Sequence, residues 1–286
     1  MSDYQETRFE GYGQRFQIDR LLHEARTEHH HLVIFENARM GRVLALDGVV
    51  QTTEADEFIY HEMLAHVPIL AHGLARRVLI IGGVDGGVLR EVARHREIER
   101  ITMVGIDSTL VQLCKEFLPN HSAGTFDDPR LNLVIDDGVR FVETTDETFD
   151  VIICDAPGPA DAGEALFCET FYQVCRRCLN EGGILVAQNG TPFMQLAKVQ
   201  ASAKRLQGLF ADWHFYQAAV PTYIGGAMTF AWGGCNADNR KLPLETLLQR
   251  YTGSGIVTRY YNPHVHVAAF ALPQYVLHAI AKPSND

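Results

Sequence analysis

The first residues that could do chemistry lie in a glycine-rich stretch that follows a short apolar run. Val78-Leu-Ile-Ile81 leads into Gly82-Gly83-Val84-Asp85-Gly86-Gly87, after which helical spacing begins. Glycines let the backbone pass close to a ligand, and the first N–H groups of the following helix are free to bind it. The loop does not fit G-x-G-x-x-G, and a carboxylate at Asp85 would repel a pyrophosphate. We therefore expect a positively charged nucleoside, for which sulfonium compounds of the S-adenosylmethionine type are the common candidates.

Other acids and amides follow further apolar runs in the same way. Asp107, Asp137, Asp155 and Gln188 each come directly after a stretch of strand-forming residues. The carboxyl ends of parallel strands form the ligand-binding edge of an open sheet, so these side chains are predicted to line one cavity together with Asp85. For each residue singly, an alternative stays open, because a carboxylate in this position can simply cap the helix that follows.

The elements that must position these residues alternate between strand and helix from residue 76 onward. This pattern predicts an α/β fold, a Rossmann-like doubly wound sheet, as the catalytic domain over 67–286. The predicted strands are 78–81, 101–106, 131–135, 150–154, 183–188 and 226–231. The predicted helices are 86–95, 108–117, 138–143, 166–178 and 194–209.

Before this domain, the sequence predicts a small antiparallel β domain over residues 1–66. Its strand candidates are 15–18, 21–22, 31–35, 42–46 and 49–51, with a hairpin turn at Asp47-Gly48. Helical spacing over 56–66 leads toward Pro68 and marks the expected crossing into the second domain.

Charge and composition exclude several classes of partner. The 286 residues carry a formal net charge of -10, which disfavours nucleic acid and anionic membranes and suits small cationic amines. No apolar run is long enough to cross a membrane and no signal peptide opens the chain, so we expect a cytoplasmic protein.

No metal site is predicted. Cys175-x-x-Cys178 lacks a second ligand pair, and the successive histidines 29–31 would point to alternating faces of a strand.

Taken together, several segments resemble the polyamine aminopropyltransferases, the family of bacterial spermidine synthase, whose catalytic sheet is of the class I methyltransferase type. The resemblance covers nearly the whole chain. The segments that carry it are Leu46-Asp-Gly-Val-Val-Gln51-Thr-Thr, Asp56-Glu-Phe-Ile-Tyr60-His-Glu-Met, Leu79-Ile-Ile-Gly-Gly, Asp85-Gly-Gly-Val-Leu-Arg-Glu-Val92, Asp127-Asp-Pro-Arg130, Pro221-Thr-Tyr223, and Tyr260-Tyr-Asn262 through His266 to Ala268-Ala-Phe270-Ala-Leu-Pro273.

The resemblance implies an aminopropyl transfer. Decarboxylated S-adenosylmethionine would give its aminopropyl group to an amine acceptor, usually the diamine putrescine, and leave methylthioadenosine. No metal or redox cofactor is implied. A sulfonium is already a good leaving group, so the enzyme has to hold the reacting carbon in line with an amine and remove that amine's proton.

Carried over position by position, the resemblance implies roles for individual residues. Asp155 matches the general base, and Tyr60 the tyrosine that helps hold the attacking nitrogen. Asp85 matches the carboxylate that grips the donor's amine and so belongs to both substrates' sites. Asp137 with Gly138 matches the contact to the adenine. The remaining implied positions are Gly82, Gly83, Gln51 and His30 for the nucleoside, and His61, Gln188 and Tyr223 for the acceptor channel.

Four positions depart from the family's pattern. Val84 replaces a glycine, and Gly105 replaces the glutamate that chelates the ribose, for which Asp107 is the candidate substitute. His30 replaces a glutamine that touches the nucleoside. Gly158 replaces the aspartate that anchors the diamine, and Asp161 is the candidate substitute there.

These departures leave three hypotheses. The chain is an aminopropyltransferase with a rearranged site; or it is a diverged enzyme that uses S-adenosylmethionine or a related sulfonium for another alkyl transfer or an intramolecular displacement; or it is a catalytically weak nucleoside-binding relative. Retention of Asp85, Tyr60 and Asp155 disfavours the third. The resemblance also implies a homodimer or homotetramer.

Overall fold

The computed structural model describes residues 2–156 and 168–281. In chain order the strands and helices of its first part are β1 (Ser2–Gln5), β2 (Arg15–Ile18), β3 (Arg20–Arg26), β4 (His31–Asn37), β5 (Gly41–Leu46), β6 (Val49–Thr53), α1 (Glu57–His72), β7 (Arg77–Gly82), α2 (Gly87–Ala93), β8 (Arg100–Gly105), α3 (Ser108–Phe117), α4 (Pro119–Ser122), β9 (Leu131–Ile135), α5 (Gly138–Thr144) and β10 (Phe149–Asp155). After the gap follow α6 (Glu169–Arg177), β11 (Leu179–Gln188), α7 (Pro192–Gln207), β12 (Asp212–Ala219), β13 (Ala227–Gly234), α8 (Leu244–Ser254), α9 (Pro263–Ala269) and α10 (Gln274–Ala281).

A seven-stranded sheet in the order β12-β13-β11-β10-β7-β8-β9 forms the centre of the larger domain. The neighbouring pairs from β11 through β9 are parallel, while β13 pairs antiparallel with both β11 and β12. Residues of β7 alternate between two cores: Val78 and Ile80 pack with α1 and α2, whereas Leu79 and Ile81 pack with the layer on the other face. Burial on both faces explains why this strand reads as an unbroken apolar run. The predicted α/β class is confirmed.

The N-terminal part is antiparallel. Strands β3, β4, β5 and β6 form a four-stranded sheet in sequence order, and β1 pairs with β2. The turn between β5 and β6 has positive φ at both central residues, 50° at Asp47 and 85° at Gly48. Two such residues give the tight hairpin turn that the sequence predicted.

Helix α1 joins the two parts and is buried along almost its whole length. The helical stretch predicted to stop near Pro68 continues through that proline to His72 and ends at Gly73, which has a φ of 75°. Its apolar residues pack into the same core as β7 and α2. A boundary between residues 66 and 67 falls inside this helix, so we propose that the change of domain lies just before Glu57.

Some elements were not predicted from the sequence. These are β12, the short β1, the short α4 and the C-terminal helices α8 to α10, and the strand predicted over 21–22 is part of the longer β3. Of the helix predicted over 166–178, the described portion runs over Glu169–Arg177. Among the described residues, no helix is long and apolar enough to cross a membrane.

Candidate active site

A cavity of about 280 Å³ opens where β7, β8, β10 and β11 end, and residues of the N-terminal domain line its other side. Every predicted site residue within the described ranges lines it: Gln51, His30, Tyr60, His61, Gly82, Gly83, Asp85, Asp107, Asp137, Gly138, Asp155, Gln188 and Tyr223. Asp161, the candidate second anchor, and Gly158 lie outside the described residues. The carboxylates at the strand ends therefore share one cavity, although their roles remain predictions.

The glycine loop brings the end of β7 against the end of β10. Gly82 and Gly83 have φ values of 86° and 63°, and the amide of Gly83 donates to the carbonyl oxygen of Asp155 at 2.8 Å. A Cβ on Gly82 would lie 2.1 Å from that same oxygen. Only glycine allows this approach, which sets the Asp155 side chain beside the loop.

Asp155 and Tyr60 form a hydrogen-bonded pair in the cavity. The hydroxyl of Tyr60 donates to Oδ1 of Asp155 at 2.6 Å. Burial, followed by the charge of Asp85, raises the pKa of Asp155 to about 6, although His61 and the Tyr60 hydrogen bond act in the other direction. Burial and the charge of Asp155 raise the pKa of Tyr60 well above its usual range, so its hydroxyl keeps its proton. A carboxylate with a pKa near neutrality can accept a proton from an ammonium that is held beside it.

Asp85 is ionised by its surroundings. Its Oδ1 accepts the amide of Gly87 at 2.8 Å, and its Oδ2 lies 3.5 Å from Nε2 of His61. Burial favours the neutral acid, but the charge and hydrogen bonding of His61 hold the pKa of Asp85 well below its usual range. The result is a fixed negative charge that suits a cationic group of a ligand.

His61 does not reach into the cavity as a free ligand. Its side chain is 2% exposed, and both ring nitrogens face carboxylates, Glu57 at 2.5 Å and Asp85 at 3.5 Å. His61 still lines the cavity, and its contact with a substrate stays a prediction.

Asp107 and Asp137 both line the cavity and cap the helix that follows. Asp107 accepts the amide of Leu110 at 3.0 Å and the hydroxyl of Thr27 at 2.6 Å. Asp137 accepts the amides at the start of α5. Capping and cavity lining are thus not alternatives here, because the start of a helix lies at the ligand edge of the sheet.

Val84 and Gly105 fit each other. A Cβ on Gly105 would lie 2.6 Å from Cγ1 of Val84, so the valine occupies the space into which a side chain at 105 would extend. The valine at 84 and the glycine at 105 are therefore compatible in packing. Asp107, two residues further along, is the carboxylate that remains on this side of the cavity.

Polar groups from the N-terminal domain reach the same region. Nδ1 of His30 lies 2.8 Å from Oδ2 of Asp47. This contact holds the imidazole in the wall of the cavity that it lines.

Gln188 and Tyr223 are held in place by backbone groups. Nε2 of Gln188 donates to the carbonyl oxygen of Ala156 at 2.6 Å, which fixes the chain directly after Asp155. The hydroxyl of Tyr223 donates to the carbonyl oxygen of Gln51 at 2.8 Å, and its ring packs edge-on against Tyr60 at 5.7 Å. The hydrogen bond between Tyr223 and Gln51 joins the two domains.

Sequence reasoning missed Glu6, which also lines the cavity and is 5% exposed. Its Oε2 has no hydrogen-bond partner among the described residues. Burial raises the pKa of Glu6 to about 7, against the opposing charge of Arg8. Nothing in its local sequence signals this, because the segment carries no periodic pattern and reaches the cavity only through pairing of β1 with β2.

Among the described residues, no group of three or more histidine, cysteine or acidic side chains is arranged to hold a metal ion. The cysteines of that part are all free thiols. The groups that converge on the cavity are carboxylates, amides, aromatic rings and imidazoles, which are suited to proton transfer and to binding cations.

This combination defines a class: a methyltransferase-type sheet with a carboxylate-lined cavity that a small N-terminal β domain helps to close. Comparison with known proteins gives the family. Residues 57–241 match the family model described as spermine/spermidine synthase domain, and residues 2–54 match that of the spermidine synthase tetramerisation domain. The chain belongs to the spermine/spermidine synthase family and is a transferase of aminopropyl groups, so the predicted family is confirmed.

Individual relatives agree with this. A polyamine aminopropyltransferase of Pseudomonas syringae pv. tomato is 75% identical over 100% of both chains, and polyamine aminopropyltransferase 1 of Pseudomonas aeruginosa is 76% identical over the same span. A spermidine synthase crystallised with the transition-state analogue AdoDATO is 35% identical, with a TM-score of 0.93 and coverage of 98% of this chain and 95% of that one. The spermidine synthase of Thermotoga maritima, also 35% identical, has a TM-score of 0.92 and coverage of 98% and 94%.

Proposed function

We propose that this chain transfers the aminopropyl group of decarboxylated S-adenosylmethionine to a diamine and releases methylthioadenosine. The observation that carries the proposal is the pairing of two unlike carboxylates in one cavity, Asp85 held ionised and Asp155 with a pKa of about 6. Asp85 suits the primary ammonium of the donor, and Asp155 suits a proton that must be removed.

In this reaction the acceptor amine loses its proton to Asp155 as its lone pair attacks the carbon next to the sulfonium. The new C–N bond forms while the C–S bond breaks, and the electron pair of that bond stays on sulfur as a neutral thioether. Tyr60, whose hydroxyl already donates to Asp155, orients the base and the attacking nitrogen. Asp85 holds the primary ammonium of the donor, so that the reacting carbon points toward the acceptor.

The decarboxylated donor is favoured by charge. A carboxylate on the donor's tail would lie toward Asp85 and Asp155, and like charges at such distances repel. Diverged sulfonium chemistry and pure nucleoside binding, the two other hypotheses, are not favoured by the relatives.

The nucleoside would lie between the sheet edge and the N-terminal domain. Gly82 and Gly83 let the backbone approach it, Asp137 and Gly138 contact the adenine, and Asp107 with His30 faces the ribose. This arrangement leaves the coupled pair of Val84 and Gly105 as an apolar part of the wall.

The far end of the acceptor needs a second anion, because a diamine keeps one ammonium while the other reacts. Glu6 supports this role: it lines the cavity, is buried, and has one carboxyl oxygen without a hydrogen-bond partner in the described part of the chain. An arriving ammonium would ionise Glu6 and pair with it. Gln51 and Tyr223 would line the path between the two ends of the diamine.

The chain is proposed to work as a homodimer or homotetramer, because its first residues match a tetramerisation domain. The product assay tests the activity itself. Mass spectrometry should find spermidine and methylthioadenosine only when both decarboxylated S-adenosylmethionine and putrescine are present. A product formed from the donor alone, or from intact S-adenosylmethionine, would refute the proposal.

A further inference from the structure

His61 lines the cavity and lies between two carboxylates. Its Nδ1 is 2.5 Å from Oε2 of Glu57, one turn earlier on α1, and its Nε2 is 3.5 Å from Oδ2 of Asp85. A neutral imidazole has one donor and one acceptor nitrogen, so it could not satisfy both anions. The geometry therefore selects the doubly protonated ring.

The surroundings are built to hold that ring. A Cβ on Gly87 would lie 2.2 Å from His61 ring atoms, so the start of α2 carries no side chain where the imidazole packs. Arg90, from the same helix, donates at 2.8 Å to Oε2 of Glu57, the same oxygen that faces His61. Charges thus alternate along a buried series from Asp85 through His61 and Glu57 to Arg90, which offsets the cost of burying each one.

We propose that His61 is a positioning residue whose cation fixes Asp85 as an anion aimed into the cavity and limits the repulsion between Asp85 and Asp155. This rests on the proposed function, in which Asp85 holds the donor's ammonium. In this role His61 acts on the donor through Asp85. Without the cation, the two carboxylates that face this small cavity would tend to share a proton. Asp155 would then be less able to take up a proton, and Asp85 would carry less negative charge.

Charged and titratable groups face His61 from every neighbouring element. Glu57 comes from its own helix, Asp85 from the loop after β7, Arg90 from α2, and Asp155 from the end of β10. His121 of α4 lies 6.1 Å away, ring to ring, and burial lowers its pKa. Burial would lower the pKa of His61 as well, but Asp85 and Glu57 raise it to about 10. His61 is therefore the buried imidazole of this group that stays charged at neutral pH.

The test compares three variants. His61→Gln removes the cation, and Glu57→Gln removes the anion that helps to keep it. His66→Gln is the matched control, because His66 is a fully buried imidazole on the same helix that pairs with a carboxylate, Glu91 at 3.0 Å, outside the residues that line the cavity.

The expected result separates positioning from packing. In His61→Gln, the Michaelis constant for the sulfonium donor should rise about tenfold and the acid limb of kcat/KM should move up by about one pH unit, as expected when a neighbouring charge is lost. Glu57→Gln should shift the Michaelis constant for the donor and the acid limb of kcat/KM in the same directions, but by smaller amounts. Binding of methylthioadenosine, which has no ammonium, should stay within about twofold of wild type, since it makes no use of the Asp85 charge. His66→Gln should lower thermal stability and leave the pH profile unchanged.

Two outcomes would overturn this proposal. The first is kinetic: Glu57→Gln and His61→Gln would have the same Michaelis constant for the donor and the same pH profile as His66→Gln. If His61→Gln fails to fold, the comparison of Glu57→Gln with His66→Gln decides. The other is spectroscopic: nitrogen NMR of the wild type should show His61 as imidazolium throughout the neutral pH range, and a neutral ring would refute the role without any activity assay. A wild type that forms no aminopropyl product would instead refute the proposed function, and the NMR result would still decide the charge of His61.

Discussion

Asp85 and Asp155 are the same residue type in one cavity, yet their surroundings drive their pKa values apart. Asp85 faces His61 and accepts a backbone amide, and both stabilise its charge. Asp155 has the hydroxyl of Tyr60 but is buried near the Asp85 charge, which raises its pKa to about 6. This separation supports the two proposed roles, in which Asp85 holds a cation and Asp155 takes up a proton.

The proposed base can be tested by Asp155→Asn. The amide keeps the size and an acceptor for the Tyr60 hydroxyl but cannot take up a proton, so turnover should fall by about 10²- to 10⁴-fold, the usual contribution of a general base. In the wild type, kcat/KM should decline as the pH falls through about 6, where Asp155 becomes protonated. Calorimetry with methylthioadenosine serves as the control and should show nearly unchanged affinity. Unaltered turnover in the variant would contradict the assigned role.

Glu6→Gln tests the proposed anchor for the far amine. The Michaelis constant for the diamine should rise about tenfold, since a buried carboxylate–ammonium pair is lost, while the constant for the donor stays unchanged. The exposed Glu10→Gln in the same segment is the control. An unchanged constant for the diamine would place the anchor elsewhere.

The same variant has a consequence for stability. The pKa of Glu6 is raised from 4.5 to about 7, so between these values the unfolded chain loses a proton that the folded chain keeps. Wild-type stability therefore falls as the pH rises through this window, by at most about 1.4 kcal/mol per pH unit. Glu6→Gln has no such titration. The difference in free energy of unfolding between this variant and the wild type, measured in denaturant titrations, should therefore shift in favour of the variant from pH 5 to pH 7.

At the scale of elements, the segment after β12 is joined to the start of α1 by one buried side chain. Asp56 accepts the amide of Thr222 at 2.7 Å and its hydroxyl at 2.8 Å, and it also accepts the hydroxyl of Thr53. Tyr223, next in sequence, donates to the carbonyl of Gln51. The wall that we propose borders the acceptor is therefore held by hydrogen bonds between the two domains.

Asp56→Asn should loosen this wall, because an amide nitrogen would face groups that are themselves donors. We expect a rise of several-fold in the Michaelis constant for the diamine and a loss of about 1.5–3 kcal/mol in stability for a disrupted charged hydrogen bond. The control is Glu62→Gln, since Glu62 is buried in the same helix and accepts the backbone amides of residues 259–261, outside the cavity lining. Equal kinetic effects in the two variants would show that Asp56 serves stability alone.

Elements with a strong periodic or glycine signal could be predicted from sequence, and others could not. β7 and its loop were predicted because a fully buried strand is an unbroken apolar run and because Gly82 and Gly83 must have positive φ. β12 was missed because it pairs at the sheet edge and mixes polar with aromatic residues, His214 and Gln217 among them. The helix boundary near Pro68 was set too early because most of α1 is buried, so burial rather than local preference stabilises the turn that contains proline.

The candidate site shows the same limit. Residues on the catalytic sheet were predicted because each follows a strand, so topology alone brings Asp85, Asp107, Asp137 and Asp155 to one edge. Glu6 lies far away in sequence, and the ion pairs of His61 with Glu57 and Asp85 were not predicted. Both depend on side chains meeting across elements, which neither periodicity nor motif spacing encodes.

At the scale of the whole molecule, the small domain has two surfaces of interest: one lines the cavity, and the other is an exposed strand edge. Inward, Glu6, His30 and Gln51 line the cavity. Outward, β3 pairs within the described residues only with β4, and its other edge has unpaired backbone groups, with Leu21 50% exposed. A free strand edge with an exposed leucine is a natural place for a second copy to pair, in keeping with the tetramerisation-domain match of residues 2–54.

We therefore expect light scattering to give a mass of two or four times the 32.0 kDa chain. Leu21→Lys should lower that mass, because a charge on a pairing edge opposes association. Leu74→Lys is the control, as Leu74 is 75% exposed beyond the end of α1 in the catalytic domain. A monomeric wild type would contradict the oligomer, and a lower mass with Leu74→Lys but not with Leu21→Lys would place the interface on the catalytic domain. If the small domain both assembles the oligomer and closes the cavity, Leu21→Lys should also weaken binding of methylthioadenosine, which calorimetry on the same samples would measure.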